Sequence, residues 1–189
     1  MASEVGICNS ALVKIGASRI VALDEGSKNA NLCGELYPKL RDDLLRSHTW
    51  NFATVRAKLA QLATTPEFGF AHEYQLPSDW VRTVSVHDNE AGAGAVEYRI
   101  EGRKLRASAG ELYLRYVRVV TDVNEMPADF REALALLLAR DVAVPIAQSN
   151  ALRESMADSF REALARAKST DALEDHPESL PPGSWVTVR

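Results

Sequence analysis

Cysteine is scarce, and so are the patterns that signal chemistry. Cys8 and Cys33 are the only two cysteines in 189 residues; both fall on apolar positions of predicted helices, where a free thiol behaves as a small buried hydrophobe. That core role is preferred over a disulfide or a reactive thiol. An excess of positive charge is lacking too. The formal charge of -4 and the pI near 5.6 speak against a protein that holds nucleic acid by neutralising phosphates, which needs clustered Lys and Arg. Nowhere do 18 apolar residues run together, and Met1-Ala2-Ser3-Glu4 does not lead a basic region into an apolar one, so neither a membrane span nor a secretory signal is expected.

What is present is an ordinary globular balance. Hydrophobic residues make up 46% and charged residues 25%, enough for a substantial core. The length fits one domain, or one domain with a modest insertion. Ser3 can cap a first helix to about Ala17, with Val5, Cys8, Ala11, Leu12 and Ile15 at three- and four-residue spacing and Gly16 suited to its end. Ser27 can start a second helix, whose stripe is Ala30, Cys33, Leu36, Tyr37, Leu40, Leu44 and Leu45. Each stripe requires a packing partner.

From Trp50 the texture changes. Trp50, Phe52, Thr54 and Arg56 could line an extended segment, while Ala53, Ala57 and Ala60 also fit a helix, and Thr64-Thr65-Pro66 breaks whatever precedes it. Residues 80–120 read as three or four antiparallel strands. Val84 and Val86, then Val96, Tyr98 and Ile100, then Leu112, Leu114 and Tyr116 alternate at period two, punctuated by Gly92, Gly94, Gly102 and Gly110. Pro127 suits the first turn of a third helix, with Asp129 and Glu132 near its positive end. Residues 133–139 are apolar on all sides, which implies burial between several elements or against a neighbouring subunit. Pro145 should end or kink this helix. Ser149 or Asn150 can cap a fourth, with Leu152, Met156, Phe160 or Ser159, Ala163, Leu164 and Ala167 inward.

No catalytic motif stands out. Gly92-Ala93-Gly94-Ala95-Val96-Glu97 approaches a dinucleotide loop but lacks its last glycine and a following helix, so a flexible hairpin turn is expected. His48, His72, His87 and His176 are scattered and pair with no cysteine at metal-ligand spacing. Asp42 and Asp43 are neighbours that point apart on a helix, which favours a solvated face. Residues 111–118 interleave aromatic and basic side chains as a nucleic-acid-binding strand does, yet the same alternation describes any half-buried strand. Two competing functions keep named residues: a small hydrolase using His48 with Asp43, or Cys8 as nucleophile, and a DNA-binding module. No cofactor is expected.

The last 19 residues, 171–189, are acidic and Pro-rich and cannot build a core. They still spend a large aromatic: Trp185, Val186, Val188 and Arg189 are therefore candidate interface residues, together with Leu136 on the all-apolar helix.

The blocks Ile7-Cys8-Asn9-Ser10-Ala11-Leu12 through Gly16, Ile20 to Lys28, Arg41-Asp42-Asp43-Leu44-Leu45-Arg46-Ser47-His48-Thr49-Trp50-Asn51-Phe52-Ala53, Phe68 to Trp80 and Ser184 to Arg189 resemble, in order and spacing, the tail tubular protein A family, the head-to-tail adaptors of short-tailed phages. The resemblance is densest over 5–82. It implies an α+β, mainly α fold: a helical bundle from 1–49 and 127–170, an inserted β-rich module over 50–126, and an extended arm over 171–189. It also implies a subunit of a twelve-fold ring beneath the portal, in contact with portal, tail or nozzle proteins and copies of itself. The genome would pass through its channel without sequence-specific binding. The chain would reside at the head-tail junction of the virion, be assembled in the host cytoplasm, and carry no catalytic residues.

Overall fold

The computed structural model describes residues 2–174. Helices α1 (Glu4–Lys14) and α2 (Lys28–Arg46) are followed by strands β1 (Thr54–Lys58), β2 (His72–Gln75), β3 (Trp80–His87), β4 (Tyr98–Glu101), β5 (Lys104–Ala107) and β6 (Tyr113–Arg118), then by helices α3 (Ala128–Ala147) and α4 (Asn150–Leu173). This is a mixed α/β architecture with two small antiparallel sheets. No helix of the described residues is long and apolar enough to cross a membrane.

The helix ends follow from local chemistry. Ser3, Ser27 and Ser149 cap α1, α2 and α4, each accepting from a backbone N–H three residues on. Beyond α1, Gly16 sits at φ 72. There Ala17 N–H reaches Leu12 O and Gly16 N–H reaches Val13 O, a Schellman closure that needs the glycine's left-handed backbone. Pro127 lies one position before α3, as its N-cap, instead of inside its first turn. Pro145 does not end that helix at once, because only the last turn follows it before Gln148 closes the helix at φ 53. Pro38 lies within α2, where its ring faces solvent and the lost hydrogen bond leaves the core face intact.

Helix α3 is the central one, packed on α1, α2 and α4. Residues 133–139 are buried by these elements of the same chain, which explains why no polar face was needed. The α3–α4 hairpin is antiparallel: Arg166 and Thr170 near the end of α4 meet Asp129 at the start of α3, and Arg140 covers the Phe160 ring. The buried apolar residues of α4 are Ala163 and Ala167, and Met156, Phe160 and Leu164 are only half-buried, so small side chains let the two helices approach. Helix α4 also continues past residue 170. Residues 171–173, expected in an extended arm, thus belong to α4, because Asp171 is buried, 7% exposed, and fully used: its carboxylate accepts Asn51 N–H at 2.9 Å and lies 3.3 Å from His48 Nε2.

The strands form two sheets, ordered β1-β6-β3 and β2-β5-β4. The span 80–120 holds four strands, as expected, and two more precede it. Residues 50–58 resolve into a short 3-10 turn, Asn51–Ala53, and then strand β1, the extended alternative of the two. Between the sheets lies a second core of Leu105, Leu112, Leu114, Tyr116, Tyr74 and Val86. The opposite face of the first sheet joins the helical core through Val117, Val81 and Val84. Val84 and Val86 therefore serve different cores, although period-two alternation puts them on one face. A register irregularity between Thr83 and Ser85 supplies the extra residue that rotates the strand.

Two turns also differ from expectation. Residues 92–97 do not close a hairpin, because β3 and β4 belong to different sheets and the glycine-rich segment crosses between them. The tight hairpin is Gly102-Arg103, between β4 and β5, with φ 58 and 61, the signs a two-residue type I′ turn demands. Strand β2 escaped the sequence pattern. Its adjacent residues Glu73 and Tyr74 are both buried, so it shows no alternation, and the acid is tolerated because Lys104 and Arg106 on β5 pair with it at 2.7 and 3.0 Å.

That arrangement makes the β region acid-sensitive. The hydrogen bond from Lys104, with help from Thr64 and the Arg106 charge and against burial, holds the Glu73 carboxyl below its ordinary 4.5. A carboxyl depressed in the folded state adds stability that is complete above 4.5 and is lost as pH falls through the lowered value. Glu73→Gln is expected to flatten the acid limb of melting temperature against pH, scanned from about pH 6 to 3. An acid limb identical to that of the parent protein contradicts this assignment.

Candidate functional site

An open concavity of about 720 Å³ lies on the first sheet where the helices no longer cover it. Its floor follows from the strand register. Arg56 on β1 is directly opposite Arg115 on β6, and Ser85 on β3 flanks Arg115 from the other side. Two residues along the strands, Lys58 is opposite Tyr113, which is opposite His87. Side chains two apart on a strand share a face, so both rows point the same way, away from Leu114 and Val86 of the second core.

One wall is the turn after β3. Asn89 fastens it by donating to Ala93 O and accepting from Ala93 N–H. His87 Nδ1 donates to Gly94 O at 2.8 Å, and its Nε2 lies 2.9 Å from Ser85 Oγ. On the floor, Lys58 pairs with Glu111 at 2.8 Å and sits 5.3 Å above the Tyr113 ring. Tyr113 Oη in turn contacts Glu111 and Glu90 at 3.1 and 3.3 Å. The Glu111 hydrogen bond holds the Lys58 ammonium up, and Lys58 holds the Glu111 carboxyl down, each from its ordinary value. Arg56 and Arg115 have no ion-pair or side-chain hydrogen-bond partner among the described residues, whereas Lys104, Arg106 and Arg118 on the strands each meet a carboxylate.

The residues singled out from sequence fare differently. Trp185, Val186, Val188 and Arg189 lie outside the described residues. Leu136 is 7% exposed, at the floor of a shallow depression shared with Lys14 of α1 and Met156 and Ala163 of α4. His48 finds its carboxylate in Asp171, not in Asp43, which is exposed on α2. Asp42 bonds Arg41. Cys8 and Cys33 are free and buried side by side in the helical core; the Cys33 side chain and then burial keep the Cys8 thiol protonated. No group of three or more potential metal ligands assembles among the described residues. The groove's cations were visible in sequence only as the alternation of 111–118 and of Trp50 to Arg56. Nothing in either stretch says that Arg56 and Arg115 become neighbours, since that depends on pairing of strands 59 residues apart in sequence.

Large apolar side chains also reach solvent: Phe68, 88% exposed, on the long segment between β1 and β2, and Val13, Val21 and Val144 elsewhere on the chain. Compared with known proteins, the chain matches no family model and no curated protein.

Proposed function

We infer that this chain is a virion structural protein, a head-to-tail adaptor subunit that assembles as a ring under a phage portal, extends the DNA channel and joins head to tail. The observation that supports this reading is the role of the adaptor-like blocks in the fold. Asn9 donates to Ile20 O and accepts from Ile20 N–H, at 2.9 and 2.8 Å, fastening the α1–α2 connection. Glu25 accepts from Val21 N–H, Ala22 N–H and Ser27 Oγ–H. Trp50 donates to Leu44 O, and Asp79 accepts from Tyr116 Oη–H at 3.0 Å. These residues thus serve architecture, in keeping with a structural role.

Ring closure needs two different patches on each subunit. Phe68 and the group Val13, Val21 and Val144 offer apolar surface in separate parts of the chain, and Trp185, Val186, Val188 and Arg189 remain candidates for contact with the portal or a neighbour. No cofactor enters this role. Mixing purified chain with portal rings and weighing the product by native mass spectrometry is expected to give one closed ring of twelve copies per portal, reduced by deletion of 175–189. A chain that stays unbound at every ratio, or virions without its density at the portal vertex, overturns the reading.

A further inference from the structure

We propose that the groove on the first sheet binds a small phosphate-bearing molecule, with the phosphate held between the Arg56 and Arg115 guanidinium groups. Four observations lead there. Like charges placed directly opposite on neighbouring strands are destabilising, and Arg56 and Arg115 are such a pair with no carboxylate of the described residues to relieve them. Guanidinium forks match phosphate oxygens bidentately, and the two arginines stand in one row on the same face of the sheet. The cleft of about 720 Å³ exceeds what a bare anion fills and lies within the range of about 300–1,000 Å³ typical of small-molecule sites. At its rim Glu90 and Glu111 bracket Tyr113 Oη; these acids oppose an extended polyanion and offer acceptors to the hydroxyl groups of a compact ligand.

The site is independent of the adaptor role, and its test is separate. Isothermal titration of the full chain would use a nucleoside monophosphate, inorganic phosphate, a single-stranded oligonucleotide and an acidic peptide. Saturable binding of the monophosphate, with inorganic phosphate competing more weakly, is expected. Arg56→Gln and Arg115→Gln should each weaken binding by about tenfold or more, the loss of one charge-assisted contact, while Lys58→Gln, already occupied by Glu111, changes it less. Because each arginine change also removes like-charge repulsion, both variants should melt no lower than the parent and lose the rise in melting temperature that the monophosphate produces. The proposal falls if neither phosphate probe saturates, if the double variant binds as the parent does, or if the oligonucleotide or peptide binds without competition from phosphate.

Discussion

Trp50→Ala is expected to lower the unfolding free energy by about 3–5 kcal/mol, a large part of the roughly 5–15 kcal/mol that holds a domain folded. The ring is 1% exposed. It meets Phe130 edge to face at 5.1 Å and His48 at 4.8 Å, and its indole N–H donates to Leu44 O at the end of α2, which also accepts from Ser47 N–H and Ser47 Oγ–H. The next residue, Asn51, ties this corner to α4 by donating its side-chain amide to Asp171 O at 2.7 Å. Removing the indole therefore leaves a cavity and a loosened α4 terminus together, while Leu44 O keeps its Ser47 donors. Urea denaturation should show the loss as a lower midpoint, and hydrogen exchange should place it first in the last turn of α4. Trp50→Phe retains most of the packing and should cost less, since the main loss is one hydrogen bond of about 0.5–1.5 kcal/mol to a carbonyl that keeps other donors. A loss under about 1 kcal/mol for the alanine variant would mean that the corner does not hold these elements together.

The second large effect is local. Leu105 on β5 is fully buried in the core between the sheets, and Leu105→Ala is expected to cost about 2–5 kcal/mol. This core shares no buried residue with the helical one, so the damage should stay on one side. Amide exchange in β2, β4 and β5 should accelerate while the α3–α4 hairpin keeps its protection, the signature of a sub-global opening. Equal loss of protection in all elements would show that the two cores unfold as one unit.

Much of the helical part was legible in the sequence because its signals are local. A serine oxygen reaches an N–H three residues away, a glycine adopts a left-handed turn where it stands, and an apolar stripe repeats within one helix. The β part was legible only where strands alternate. Tyr113 to Arg118 does; His72 to Gln75 does not, because Glu73 is buried on the strength of partners about 30 residues further along the chain. Asp171 misled for the same reason. An acid beside a Pro-rich stretch reads as solvated, and only the arrival of Asn51 and His48 makes its burial tolerable.

The amino-acid order alone settled the four helices, the serine caps of α1 and α2 and the strand-rich character of residues 80–120, since each depends on contacts within a few residues. Tertiary structure decided how the strands divide into two sheets, which core receives Val84 and which Val86, that His48 answers to Asp171, and that Arg56 faces Arg115. Those outcomes rest on pairings between distant segments, whose energies exist only after the chain has closed the loops that bring them together.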